Sequence, residues 1–379
     1  MEETPLPSFD LSRNWNRVRD ETLAAINVVL EGQHFILGAE VEALEKDLAA
    51  YLGVTFTVGC ASGTDALLLA LMALDLGPGD EVITTPFSFF ATASCITRLG
   101  ATPVFADVNP ESFNIDPQEV LRKITPRTRA VIPVHLFGQM ARVEEFASQL
   151  VEQGISIVED CAQAIGATRI VKGKIQRAGG MGELGCFSFF PTKNLGCFGD
   201  GGMISISSER LSKRLRSLRA HGSGEQYFHD EIGLNSRLDE LQAAILRVRF
   251  RHLESWNEER RLVAERYRIL FAEHDLGEWV TPPLEEKGNR HIYHQYVLRC
   301  RSRDLLKEHL AGRGITTRVY YPLSLHLQPC FSYLGYARSD MPVSESLTEE
   351  VLALPIFPEL EPGEQERVVQ AISDFYRGR

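Results

Sequence analysis

The chain has 379 residues, 44% of them hydrophobic and 24% charged, an ordinary balance for a soluble globular protein and enough length for two or three domains. Forty Lys and Arg against 51 Asp and Glu leave a net charge of −11, which excludes a broad nucleic-acid surface but not a small anionic ligand held by a few local donors. Seven cysteines, an odd count without C-x-x-C spacing, exclude a disulfide framework and a structural zinc site, and no other metal site is expected.

The opening MEETPLPSFD is acidic and lacks the apolar core of a secretory signal. About 20 residues precede the first clear helix. The longest apolar run, Ala66 to Leu74, is too short to span a bilayer. A cytoplasmic protein that binds neither membrane nor nucleic acid is expected.

From about residue 54 short apolar strands alternate with helical stretches. Gly63 to Leu74 reads as a helix, EVITTP as a strand, then TPVFADV (102–108) and AVIPVHLFG (130–138) as further strands. A helix over Val143 to Gln153 leads into the strand of ISIVEDCAQ, and CFSFFP (186–191) with GGMISIS (201–207) forms a hairpin-like pair. This alternation predicts a mostly parallel α/β sheet covered on both faces. Helical spacing then covers Leu238 to Trp256 and Glu258 to Phe271. Strand HQYVLRC, helix SRDLLKEHLAGRG, strand ITTRVYY and C-terminal helices follow. The expected division is 1–250, an N-terminal segment plus a large α/β domain, and 251–379, a small α+β domain.

Ligands of open α/β sheets sit beyond the carboxyl ends of the strands, and the unusual residues cluster there. In SGTDAL (62–67), free amides at the helix start and the Thr64 hydroxyl suit a phosphate, while Ser62 or Thr64 as a plain helix cap is the commoner role for such a segment taken alone. Asp160 ends the strand SIVED, and an unpaired buried carboxylate is expensive. A protonated ring nitrogen would pair it; a helix-capping role is the alternative. Lys193 stands in an aromatic, glycine-rich stretch (187–202), where burial favours the neutral amine that Schiff-base chemistry needs. Ser188 offers another phosphate donor. The FSFFATA segment (87–93) offers an aromatic to lie against a ring, although core packing is the default for phenylalanine. Together these are the parts of a pyridoxal phosphate (PLP) site.

SGTDALLLAL, PFSFFATA, EDCAQAIGA, GCFSFFPTKNLGCFGDGG and GLNSRLDELQAAIL, in this order, resemble the sugar aminotransferases of the DegT/DnrJ/EryC1/StrS family, from residue 32 to residue 360. The resemblance implies the fold-type I architecture of aspartate aminotransferase, with a mostly parallel seven-stranded sheet and a smaller C-terminal domain. It implies that Lys193 is the Schiff-base lysine and proton carrier, that Asp160 pairs with the ring nitrogen, and that Gln163 lies against the ring near its 3-hydroxyl. Phe89 aligns with the stacking aromatic, and Gly63, Thr64 and Ser188 with the phosphate cradle.

The resemblance also makes Asn235 a donor to the phosphate of a neighbouring subunit's cofactor, within a homodimer of shared sites, and Arg237 a contact of the nucleotide-sugar substrate. Asn235 or Ser236 could instead cap the following helix, with Asp239 completing a box. Relatives acting at the sugar 3-position often carry His-Tyr-Pro before the L-x-L-H-L-Q segment; here it is Tyr320-Tyr321-Pro322. Tyr320, Tyr321 and His326, with His221, are substrate-side candidates. The implied reaction moves an amino group from an amino acid, glutamate favoured, to a keto group, C3 favoured over C4, of a nucleotide-linked sugar. The rivals are a PLP-dependent sugar dehydratase, whose members replace the lysine with histidine, a non-catalytic PLP-binding regulator, and an ordinary amino-acid aminotransferase.

Overall fold

The computed structural model describes residues 4–225 and 227–378. Two helices precede the sheet, and the first begins earlier than the sequence suggests. α1 (Leu11–Gly32) starts where the Asp10 carboxylate accepts from the amides of Ser12 (2.8 Å) and Arg13 (3.3 Å). α2 (Ala39–Leu52) ends on Gly53 at φ 73°, a conformation that favours glycine.

The central sheet is built from β1 (Phe56–Cys60), β2 (Glu81–Thr84), β3 (Thr102–Phe105), β4 (Thr128–Ile132) and β5 (Ser156–Asp160). After an antiparallel ribbon of β6 (Thr168–Val171) and β7 (Lys174–Arg177), it is completed by β8 (Leu184–Ser188) and β9 (Gly202–Ile206). The seven strands lie in the order β1-β9-β8-β5-β4-β2-β3, and only β9 runs against the rest. This is the expected α/β fold, with β8 and β9 as the antiparallel pair.

Parallel strands require crossovers, and helices supply them. α3 (Gly63–Ala73) follows β1, α4 (Ala91–Arg98) follows β2, α5 (Pro117–Arg122) follows β3, α6 (Ala147–Glu152) follows β4 and α7 (Glu209–Leu218) follows β9. α3 buries Leu67, Leu68, Leu69 and Leu71 against the sheet and its helix neighbours. Each such side chain contributes roughly 1.5–3 kcal/mol, so the helix that opens the site is firmly anchored. The stretch 143–153, expected as one helix, is a 3₁₀ turn (Val143–Glu145) followed by the short α6.

Beyond the sheet come the hairpin of β10 (Ser223–Glu225) and β11 (Phe228–His229), then α8 (Glu240–Phe250) and α9 (Leu253–Glu273). One helix was expected over 238–256. The His252 amide bonds to the Arg249 carbonyl three residues back, tightening the last turn of α8, and α9 starts afresh with Trp256 bonded to His252. The remainder holds β12 (Val280–Thr281), β13 (Asn289–Arg290), β14 (Tyr296–Cys300), α10 (Arg303–Gly312), α11 (Pro342–Glu350), β15 (Val351–Leu354) and α12 (Pro362–Arg377). β12, β14 and β15 form a small antiparallel sheet, while β13 pairs with β6.

The segment 315–321, expected as a strand, is held only by isolated bridges from Ile315 to Leu6 and from Arg318 to Ala353. Its partner changes within three residues, so no ladder forms. Leu6 is buried with Tyr267, Leu298, Leu306 and Ile372 in the C-terminal core. Leu6 and Phe9 thus pack in the C-terminal core, while α1 packs on α8. All seven cysteines are free thiols, six of them buried. Among the described residues no helix is long and apolar enough to cross a membrane.

Candidate active site

The carboxyl ends of β1, β2, β5 and β8 open on one cavity of about 460 Å³. Gly63, Thr64, Phe89, Asp160, Gln163, Ser188, Lys193, Tyr320 and Tyr321 all line it. Nine positions scattered over 259 residues of chain thus converge on one space, because strand ends sharing a sheet edge bring their loops together.

At the β1 end, Ser62 is the helix cap: its hydroxyl accepts from the Asp65 amide at 3.1 Å. The Thr64 hydroxyl is left for the cavity, and the Gly63 and Thr64 amides have no acceptor among the described residues. Ser62 is thus the cap, and Thr64 is left facing the cavity. A Cβ at Gly63 would lie 2.5 Å from the Ser188 Cβ and 3.1 Å from its Oγ. Only glycine lets the start of α3 close against the end of β8, and that contact forms a cradle of amides and hydroxyls for a phosphate.

Asp160, 5% exposed, sits at the last position of β5. It is no helix cap. Its Oδ2 accepts from the Thr92 hydroxyl at 2.8 Å and its Oδ1 from the Ala162 amide at 3.1 Å, and Ser88 Oγ lies 3.1 Å from Thr92 Oγ1. Burial pushes its pKa up, and the Thr92 and Ala162 donors only partly restrain it. A cationic partner in the cavity would stabilise the carboxylate. Burial also lowers Lys193, to about 8, while Asp160 acts the other way. Among the described residues the two form no ion pair, although both line the cavity and each charge acts on the other.

Phe89, 58% exposed, is an uncovered aromatic on the cavity wall, whereas its neighbour Phe90 packs on Phe331 with ring centroids 5.6 Å apart. Gln163 is fixed at both ends: its Oε1 accepts from the Phe137 amide (2.8 Å) and its Nε2 donates to the Tyr321 hydroxyl (3.1 Å). Burial raises the pKa of both Tyr320 and Tyr321, so both phenols stay protonated donors at neutral pH.

Four expected residues are not brought to this cavity. Asn235 is exposed and Arg237 half-buried, both outside it, and neither Asn235 nor Ser236 caps α8, whose cap is Asp239. In the extended stretch before α8 the faces alternate. Ser236, Leu238 and Glu240 point inward, and Asn235, Arg237 and Asp239 outward. Ser236 accepts from the Ala61 amide (3.1 Å) and donates to Asp65 (2.7 Å), while Glu240 accepts from the amides of Gly38 (2.7 Å), Glu40 (2.9 Å) and Val41 (3.0 Å).

His326 is a correction. Its ring is 1% exposed, lies among Phe105 and Tyr336, and Nε2 is 3.2 Å from Glu345. The 3₁₀ turn 325–327 folds it inward rather than toward substrate. His221 is exposed in the turn before β10, also outside the cavity.

Sequence reasoning missed Thr92, Ser88, His294 and Gln295. The first two lie in the FSFFATA segment, where the four-residue spacing of two hydroxyls was the available signal. A buried cluster of His135, Glu159 and Cys161 has metal-ligand types. However, His135 Nδ1 accepts from the Ala141 amide (3.0 Å), so Nε2 carries the hydrogen it gives Glu159 (2.7 Å). Glu159 is filled by the amides of Gly179, Met181 and Gly182 (2.6–3.0 Å). The cluster braces β5 rather than presenting free lone pairs. A larger cleft of about 720 Å³ runs beside α9, but its arginines are already paired, Arg261 with Glu285 (2.7 Å), Arg268 with Glu265 (2.5 Å) and Arg299 with Glu350 (2.7 Å).

A phosphate cradle, an open aromatic face, a carboxylate awaiting a cation and a lysine of lowered pKa fit PLP, and the fold and site define a PLP-dependent transferase of fold type I. The chain belongs to the DegT/DnrJ/EryC1/StrS aminotransferase family, whose profile matches residues 16–373. A protein of Geobacillus stearothermophilus named pleiotropic regulatory protein is 48% identical over 98% of this chain and 99% of its own. The UDP-N-acetyl-3-dehydro-alpha-D-glucosamine 3-aminotransferase of Acidithiobacillus ferrooxidans is 45% identical over 98% of both. Among solved structures, DesV of S. venezuelae in complex with a ketimine intermediate is 40% identical, with a TM-score of 0.94 over 98% of this chain and 99% of that one. NtdA of Bacillus subtilis, with its cofactor PMP bound, is 30% identical, with a TM-score of 0.90 over 98% and 85%. The protein is an aminotransferase that uses PLP.

Proposed function

We propose that the protein transfers an amino group from an amino acid, glutamate favoured, to the 3-keto group of a nucleotide-linked sugar. The observation that carries this is Lys193 facing Asp160, without an ion pair, across a cavity that also holds a phosphate cradle. Similarity to a named 3-aminotransferase supports C3 over C4. Lys193 in place of histidine disfavours the dehydratase reading. A regulatory reading is supported only by the names of two relatives, a pleiotropic regulatory protein and a sensory transduction protein.

When bound, the cofactor supplies an electron sink for negative charge at the donor's α-carbon. Asp160 holds the ring nitrogen protonated, and Thr92 and Ala162 orient that carboxylate. Gly63, Thr64 and Ser188 would seat the phosphate, Phe89 would cover a ring face, and Gln163 would lie against the ring. Lys193 would hold the cofactor as a neutral amine, and its freed Nζ would carry the proton from the donor α-carbon to the cofactor's reactive carbon. Tyr320 and Tyr321 offer phenol donors to the sugar, and Arg237 contacts the nucleotide.

The working unit in this reading is a homodimer in which Asn235 reaches the partner's cofactor phosphate. Asn235 lies exposed outside its own cavity, and the nearby Tyr227, Phe228 and Ile232 are 86%, 69% and 92% exposed, more apolar surface than one hairpin comfortably shows to water. The division near residue 250, amended by the docking of Leu6 on the small unit, and a cytoplasmic location belong to the same proposal. A panel of UDP- and dTDP-linked 3-keto and 4-keto sugars, with NMR of the products, tests it. Amine at C3 is expected, and product only from 4-keto sugars, or only from free keto acids, would overturn the assignment.

A further inference from the structure

Next to the cofactor cavity lies a small one of about 40 Å³, whose wall includes Thr192, His294, Gln295 and Tyr320, all shared with the larger cavity. Its charged lining is Arg260 and Arg318, with no carboxylate. Two cations facing one space without an acid are unusual, since a buried charge is normally paired. Arg260 is 7% exposed; its Nη1 bonds the carbonyls of Tyr293, His294 and Ile356 at 3.2–3.4 Å, while Nε and Nη2 have no partner among the described residues. The acid acting on it, Glu359, is itself held by Arg17 (3.2 Å) and Asn14 (3.1 Å).

Arg318 is exposed and makes no side-chain hydrogen bond or ion pair among the described residues. It stands two residues before Tyr320 in extended chain bridged to Ala353, on the same side as that tyrosine, and its charge acts on the Tyr320 phenol. The Gln295 side-chain Oε1 is buried beside them without a hydrogen-bond partner, while the side chain bonds the Tyr320 phenol. His294, buried and close to both Lys193 and Arg260, is held neutral. Its Nδ1 meets Asn194 Oδ1 at 3.1 Å. It therefore adds no third charge and no counter-charge.

From this arrangement we infer that Arg318, backed by Arg260, seats a carboxylate of the amino-acid donor, which places the donor's amino group in the adjoining cavity beside Lys193. The inference rests on the aminotransferase reading above and deepens it. The space is about that of one or two waters, and so of one carboxylate group. A guanidinium binds a carboxylate through two parallel N–H donors, which a lysine reproduces only in charge. Tyr320, at the boundary of the two cavities, separates this donor subsite from the rest of the cavity.

The test uses PLP-loaded protein and glutarate, a dicarboxylate without an amino group, alongside glutamate. For Arg318→Gln we expect at least a tenfold weaker glutarate dissociation constant by calorimetry. The glutamate concentration needed for half-maximal loss of the cofactor's visible absorbance should rise as much, and Arg318→Lys should recover part of both. Unchanged glutarate and glutamate affinities, absence of glutarate binding to wild type, or an equal loss of affinity for the keto sugar nucleotide would each overturn the inference. If glutarate binding depends on Arg318 but no amino acid discharges the cofactor of the wild type, the donor subsite stands as a carboxylate site and the aminotransferase reading fails.

Discussion

Lysine 193 is the group whose ionisation the fold changes to most effect. Burial brings its pKa from 10.5 to about 8. At pH 7 that shift raises the neutral, nucleophilic fraction from about 0.03% to about 9%, roughly 300-fold. The rate at which apoprotein captures PLP, followed as growth of the visible band after rapid mixing, should therefore rise with pH and level off above a midpoint near 8. Asp160 raises the lysine pKa, so Asp160→Asn should move the midpoint to lower pH even as it weakens the finished site. The folded pKa lies below the unfolded one, so the unfolded chain binds the extra proton between them. Apoprotein stability should consequently increase from about pH 8 toward 10.5. A capture midpoint near the ordinary lysine value, or one unmoved by Asp160→Asn, would refute the reasoning.

Thr92→Val removes a hydroxyl donor from Asp160. A hydrogen bond to a charged group contributes about 1.5–3 kcal/mol, so PLP affinity should fall by roughly 10- to 100-fold in equilibrium titration, with the fold intact. Glu159→Gln disrupts a buried pair and its three amide bonds, and urea unfolding should show a loss of roughly 3–5 kcal/mol. Burial opposes the Glu159 charge, but His135 and the amides outweigh it and hold its pKa below the usual carboxylate value. Its stabilisation is thus present at neutral pH and lost as the pH falls through that lowered value. Asn235→Ala should weaken PLP retention at the partner's site. In mixed dimers with Lys193→Ala on the other chain, the intact Lys193 belongs to the Asn235→Ala chain and meets a native Asn235 from its partner. That site should bind PLP normally, and impairment equal to the Asn235→Ala homodimer would contradict sharing.

The legible part of the site lay where chemistry and chain position coincide. Asp160 ends a strand, Lys193 follows an aromatic turn, and Gly63 and Thr64 open a helix, so each can be placed before any packing is known. Thr92 and Ser88 were hidden because uncharged hydroxyls in an apolar segment give only their four-residue spacing as a signal. His294 and Gln295 lie just before β14, and only the folding of the C-terminal unit brings them to the cavity. His326 was misplaced for the opposite reason: a lone imidazole in a loop looks available, and the 3₁₀ turn that buries it is set by contacts with Phe105 and Glu345. The 315–321 segment has strand composition, but its backbone splits its bonds between Leu6 and Ala353, partners over 340 residues apart. The same uncertainty hid Arg318, whose interest lies in the counter-charge it lacks.

The most direct test of the central claim follows both halves of the reaction in one cuvette. Adding glutamate to PLP-loaded protein should replace the visible band with that of the pyridoxamine form, and a 3-keto sugar nucleotide should then restore it with release of the amino sugar. A visible band that glutamate leaves unchanged, or a pyridoxamine form that no keto sugar nucleotide discharges, would contradict the account.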